Sequence, residues 1–212
     1  VNENIYLLAN DVKIDGSLLD NIHILKYNLE GSLIEKLDTG INKEGIGMFV
    51  DENSSDIYFV SRNDTKVYKS NISENSTTEL YEDDNFHFPT GLVLDSSGNV
   101  YVSNKNADIR KWEKQTGNKS GIGVTGCLSI TINNRGNLVC GVHAVNLSGR
   151  DAMIMEFKLE AGEPLASGTN LDWLFSQNKY SSYFDYHLGI SGIAYSNTNE
   201  LYFSIGRDTD QD

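Results

Sequence analysis

One repeated unit limits what this chain can fold into more than any other feature. The clearest copy is "FPTGLVLDSSGNVYVSN", Phe88 to Asn104. It reads as an apolar strand, an Asp, a polar turn, and a second strand with an aromatic near its start. "GIGMFVDENSSDIYFVSRND" (Gly45 to Asp64), "CLSITINNRGNLVCGVHAV" (Cys127 to Val145) and "ISGIAYSNTNELYFSIGRD" (Ile190 to Asp208) follow the same scheme. "NENIYLLAND" (Asn2 to Asp11) supplies the second strand only. The residues before the second strands are Asn4, Asp56, Asn99, Asn137 and Glu200, spaced 52, 43, 38 and 63 residues apart. A unit of about 40–45 residues has the length of a four-stranded propeller blade.

The rest of each unit agrees. A third strand with period-two alternation follows the hairpin in "HILKYNLEG" (His23 to Gly31), "TKVYKSNIS" (Thr65 to Ser73), "ADIRKWEKQ" (Ala107 to Gln115) and "AMIMEFKLE" (Ala152 to Glu160). A shorter, more polar fourth strand comes next, as in "SLIEKLDTG" (Ser32 to Gly40) and "TTELYED" (Thr77 to Asp83), in keeping with a solvent-facing edge. Helical periodicity is nearly absent. The exception is "TNLDWLFSQNKYSSYFDYH" (Thr169 to His187), where Leu171, Leu174 and Phe175 predict a short helix inside an insertion at about 162–188.

These residues resemble the NHL-repeat family of β-propellers, whose unit runs Pro-x-Gly-apolar-x-apolar-Asp-x-x-Gly-x-apolar-Tyr-Val-x-Asp. Pro89, Gly91, Asp95, Gly98, Asn99, Tyr101 and Val102 match it, while Asn104 stands where the family often has Asp. Gly47, Asp51 and Tyr58 in one unit, and Gly192 and Tyr202 in the last, match more loosely. The resemblance implies fold; this architecture hosts enzymes, scaffolds and ligand binders alike. In physical terms, Gly98–Asn99 and Gly136–Asn137 are expected to supply positive φ for the hairpin turns. Tyr101 is expected to fill space between blades while its hydroxyl finds a partner.

The expected fold is therefore all-β, a β-propeller of four-stranded antiparallel blades. Residues 1–212 read as one propeller domain or propeller fragment. With strands labelled one to four from the inside, the N-terminal segment gives strands two to four, three full blades follow, and the C-terminal segment gives strands one and two. Strand two thus occurs once too often for four blades to close. The expectation is about four blade equivalents of a five- or six-bladed propeller, completed by a segment outside this sequence or by another chain. A four-bladed closure with a displaced strand is the alternative. The absence of an initiator Met and of a leader at Val1 reads as a mature product or a fragment.

The formal net charge is −13. It argues against nucleic acid, whose phosphates need clustered Lys and Arg. No apolar run reaches the ~18–20 residues of a membrane helix. Six N-x-S/T sequons, at Asn53, Asn63, Asn71, Asn75, Asn118 and Asn146, make a secreted glycoprotein the expectation. Cys127 on an inner strand and Cys140 on its hairpin partner can form a cross-strand disulfide, with two buried thiols as the alternative. Both features point to an extracellular or cell-surface location.

Candidate chemistry is sparse. His87 precedes "FP" at a blade mouth, and His23, His143 and His187 are scattered, with no Ser-His-Asp order. Asp208, Asp210 and Asp212 form a D-x-D-x-D run of the kind that opens calcium loops. "EDDNF" (Glu82 to Phe86) is a second acidic cluster. Sugar-lactone hydrolases are also propellers and are similar in repeat texture. Their metal site uses an Asn in a P-N-G-like inner-strand motif; Thr90 and Ser191 stand at the matching places. The expected function is a non-catalytic module binding a protein or glycan. The alternative is a propeller enzyme, a lactone hydrolase or lyase with a channel metal such as calcium.

Overall fold

The structure, a computed structural model, describes residues 4–12, 18–51, 53–142, 153–157, 172–176, 188–196, 198 and 200–207. It divides into two compact units, Val1–Pro89 and Thr90–Asp212. The described residues form strands arranged in successive sheets, and neighbours within each sheet follow chain order.

The first unit holds two sheets. One consists of β1 (Ile5–Val12), β2 (Leu18–Tyr27) and β3 (Leu33–Asp38); the other of β4 (Gly45–Asp51), β5 (Asp56–Ser61), β6 (Lys66–Asn71) and β7 (Ser76–Glu82). Pairing is antiparallel, with Leu8 opposite Ile24, Val50 opposite Ile57 and Phe59 opposite Tyr68. Alternation sends Ile22, Ile24 and Leu37 from the first sheet against Ile57 and Phe59 of the second, with Tyr68 closing the cluster. Phe59 and Tyr68 stack at 5.1 Å between ring centroids. Burying a side chain of this size stabilises by about 1.5–3 kcal/mol. The connection between the sheets is tied down by polar bonds. The Asn10 amide donates to the Lys43 carbonyl at 2.6 Å, and the Gly45 N–H donates back to Asn10 Oδ1 at 2.9 Å. A Cβ at Gly45 would sit 2.8 Å from the Leu8 side chain, which would have to move to admit it.

The second unit holds β8 (Pro89–Leu94), β9 (Val100–Asn104), β10 (Asp108–Trp112) and β11 (Lys119–Thr125) in one sheet. The next contains β12 (Cys127–Ile132), β13 (Leu138–Val142), β14 (Met153–Phe157) and β15 (Asp172–Ser176). A two-stranded sheet follows, β16 (Leu188–Tyr195) with β17 (Leu201–Arg207). Val139 and Ile154 pack against Ile193 and Leu201, joining the last two sheets. Thr90 joins β8 to β12: its hydroxyl donates to the Cys127 carbonyl at 2.7 Å and lies 2.9 Å from Ser103 Oγ.

The strand sequence matches the expected pattern of strands two to four, three full sheets, and strands one and two. One local expectation is corrected. Within the segment read as a short helix, Asp172–Ser176 is β15, paired antiparallel with β14. It is the fourth strand of its sheet. Its apolar residues met the helical spacing by coincidence, because five residues cannot separate the two periods.

Candidate functional site

A polar side chain anchors the turn after each inner strand: Asp51, Asp95, Asn133 and Ser196. Asp95 Oδ1 accepts from the backbone N–H groups of Ser97 and Asn99, both at 2.9 Å. Its other oxygen accepts from Asn99 Nδ2 at 2.8 Å and from the Tyr101 hydroxyl at 3.0 Å. Burial, the Asp95 charge and this bond push the Tyr101 hydroxyl well above its ordinary pKa of 10.0. Asn133 does the same work one sheet later, accepting from the N–H of Arg135 and of Asn137 at 3.0 Å. Ser196 accepts from the Glu200 N–H at 3.0 Å. Asp51 accepts from the Asn53 N–H and from the Ser54 hydroxyl. The repeat's Asp is thus a turn anchor. Gly98 (φ 79°) and Gly136 (φ 76°) carry the left-handed residue, and Ser55 (φ 59°) takes that place in the second sheet. In each pair the glycine supplies the positive φ; Asn99 binds Asp95 and Asn137 binds Glu156 through their side chains.

The fourth sheet contains an inversion. Tyr6, Tyr58 and Tyr101 each stand opposite a lysine, Lys26, Lys69 and Lys111. The corresponding pair in the fourth sheet is Val139 opposite Glu156. Glu156 is 2% exposed. Its Oε1 accepts from Asn133 Nδ2 at 2.8 Å, from Asn137 Nδ2, and from Arg135 Nη2 at 2.7 Å; its Oε2 lies 2.9 Å from the same Arg nitrogen. The third-strand segments, aligned as LKY, YKS, RKW and MEF, carry this signal in the sequence. The arrangement engages both oxygens of one buried charge with side chains of its own sheet.

Asp64 is a second buried carboxylate. It accepts from the Ser61 hydroxyl, the Tyr68 hydroxyl and the Thr65 N–H, each at 2.9 Å, and pairs with Lys43 Nζ at 3.6 Å. Burial, with the Asp64 bond second, pushes the Tyr68 hydroxyl well above its ordinary value. In the "EDDNF" cluster, Asp83 is buried and accepts from the backbone and side-chain nitrogens of Asn85.

The inner-strand places that correspond to the lactone hydrolases' metal Asn hold Ile46, Thr90, Leu128 and Ser191. These side chains bring no carboxylate or amide, and Thr90 is engaged between strands. Among the described residues no three His, Cys, Asp or Glu side chains converge as a metal would require. His87 is exposed and His23 buried; His143, His187, Asp208, Asp210 and Asp212 lie outside the described residues. Sequon residues Asn53, Asn63, Asn75 and Asn118 are exposed. Asn71 is half-buried and donates to Asp56 at 3.3 Å, and Asn146 is outside the described residues. Cys127 and Cys140 form a disulfide with Cα atoms 5.8 Å apart. It reaches diagonally past a bulge, since Cys140 stands opposite Ile130.

The least regular feature is Phe88, in the loop that leads into β8. It is 48% exposed and has φ of 59°. A bulky aromatic in the left-handed region costs about 1–2 kcal/mol. About half of the residue faces water, so burial offsets this strain only in part.

No protein-family model and no curated protein matches the chain. Solved structures do. A chain in the crystal structure of a nidogen/laminin complex superposes with a TM-score of 0.68 at 15% identity, covering 95% of this chain and 70% of that one. A putative gluconolactonase gives 0.61 at 9% identity, covering 87% and 67%. Virginiamycin B lyase from Staphylococcus aureus gives 0.56 at 16% identity, covering 98% and 72%. Together with the four-stranded antiparallel sheets, these likenesses establish an all-β propeller fold of about four blade equivalents, similar at the level of fold to NHL-type propellers.

Proposed function

We propose that this chain is a secreted or cell-surface propeller that binds a protein partner, with Phe88 as the anchor. The observation that carries the reading is the strained, half-exposed aromatic at a strand mouth. Aromatic anchors dominate protein interfaces because they bury a large area while freezing few torsions. The buried disulfide supports an oxidising location, and a propeller in a protein–protein complex is among the fold neighbours. Exposed Asn53, Asn63, Asn75 and Asn118 are the proposed glycan acceptors. The four blade equivalents are proposed to be part of a five- or six-bladed propeller.

The enzyme alternative, with calcium on Asp208, Asp210 and Asp212, draws on the gluconolactonase and lyase neighbours. Against it stands the engagement of the well-placed carboxylates in turns. The test is an array of extracellular proteins and glycans probed with the chain produced through a secretory pathway, beside lactone-hydrolysis assays with added calcium. The reading expects a saturable protein partner that the Phe88→Ala variant loses. A glycan-only ligand, or calcium-dependent turnover, overturns it.

A further inference from the structure

The second sheet carries four sequons, at Asn53, Asn63, Asn71 and Asn75. Their side chains differ in what they already hold. Asn71 donates to Asp56 at 3.3 Å and accepts the Glu74 N–H at 3.2 Å, and the Asn53 side chain bonds Asp51. Asn63 and Asn75 are exposed, and among the described residues no hydrogen bond commits either amide. Both sit in turns with left-handed backbone, at φ of 55° and 48°, which Asn tolerates better than most residues with a Cβ. The register puts them at opposite ends of the sheet. Asn63 lies in the β5–β6 turn, beyond the Val60–Val67 pair; Asn75 lies in the β6–β7 turn, beside the Asn71–Ser76 pair.

The segment that leads to Phe88 leaves the sheet at the Asn63 end. β7 runs back from Ser76, and Glu82 stands opposite Lys66. Thr65, the third residue of the Asn63 sequon, holds that segment twice. Its hydroxyl donates to Glu82 at 2.8 Å, and its carbonyl accepts the Asp83 N–H at 2.7 Å. The segment then folds back: the Phe86 N–H donates to the Asp83 carbonyl at 3.0 Å, and the Phe86 ring meets Tyr81 edge-on. Phe88 follows two residues later, at most about 7 Å of chain. We propose that Asn63 is an N-glycosylation site that controls access to Phe88. An N-glycan there sets a bulky, hydrated group beside the root of the Phe88 segment. The chain that carries it is the masked form, and the bare chain is the open one. A glycan on Asn75 covers the far end of the sheet and leaves Phe88 open. The inference rests on the secreted, Phe88-anchored reading of this chain.

The test uses the whole chain produced through the secretory pathway of cultured animal cells. Peptide mass spectrometry reads the occupancy of each sequon. Hydroxyl-radical footprinting reads the exposure of Phe88 and needs no partner. Asn63→Gly and Asn75→Gly each remove one acceptor and suit its left-handed backbone, so circular dichroism should match the parent. Asn63 is expected to be occupied. Asn63→Gly should raise the oxidation of Phe88 at least about twofold by removing a bulky neighbour. Enzymatic removal of the glycans from the parent should give the same rise, and Asn75→Gly should leave the rate unchanged. A bare Asn63 in the secreted chain overturns the inference. So does a Phe88 rate that is the same with and without the Asn63 glycan, or one that rises equally in Asn75→Gly. An array that yields no protein partner sinks the Phe88-anchored reading but leaves the footprinting result standing, so the two failures are told apart.

Discussion

Replacing Glu156 tests whether the inverted charge in the fourth sheet is a structural centre. The Glu156→Ala variant strands two amide donors, Asn133 Nδ2 and Asn137 Nδ2, whose residues are 3% and 9% exposed. Each stranded donor costs about 1–1.5 kcal/mol. Arg135, with a side chain 58% exposed, re-enters water and adds less than about 1 kcal/mol. The expected loss is about 3 kcal/mol, a fall in melting temperature of about 6–12 °C for a chain of this length. Glu156→Lys restores the lysine of the other sheets but sets it against Arg135, so it should melt lower still. Adding Arg135→Glu to that variant should recover part of the loss. Differential scanning calorimetry reads all four proteins. A Glu156→Ala loss below about 1 kcal/mol, or a Glu156→Lys variant as stable as the parent, refutes the assignment.

Other outcomes follow from the same geometry. Asp95→Ala removes four accepted bonds from one turn and should cost about 2–3 kcal/mol, read by urea unfolding, whereas Asp95→Asn should cost less. Replacing both cysteines by alanine frees a cross-link 13 residues apart and should cost about 3 kcal/mol in the same assay. Stability against pH should fall on the acid side. The Gly40 N–H at Asp38 and the Ser54 hydroxyl at Asp51 hold these carboxyls below their ordinary value of 3.8. At Asp56 burial acts upward, but bonds from Lys69 and Asn71 outweigh it. A depressed folded pKa gives stability that is complete above 3.8 and is lost as pH falls through the folded values. Melting temperatures should therefore drop below about pH 4.

The fold was legible because the repeat states it several times. The turn Asp, the glycine at positive φ and the alternating strands each follow from local chemistry: Asp95 and Gly98 do what their spacing implies, and the Tyr101 hydroxyl finds its partner. The disulfide was legible from the placement of Cys127 and Cys140 on hairpin partners. Glu156 was harder, because its meaning lies in a comparison of third strands in register: lysine in three and glutamate in one. Asp172–Ser176 was misread because a short apolar segment carries no period of its own, and only its pairing with β14 assigns it. Phe88 gave no signal, since "FP" resembles an ordinary approach to a strand. Its backbone angle and its exposure are properties of the folded loop.

Phe88 also offers the most direct measurement. Melting temperature and affinity for an array-identified extracellular partner should be measured on the same preparations of the parent, Phe88→Gly and Phe88→Ala. Glycine relieves the left-handed strain and should leave the protein as stable or about 1 kcal/mol more stable, while alanine keeps the strain. Both should weaken binding by at least about 2 kcal/mol, roughly thirtyfold. A Phe88→Gly protein that melts lower and binds as the parent does would contradict the account, because the ring would then belong to the packing and not to a partner.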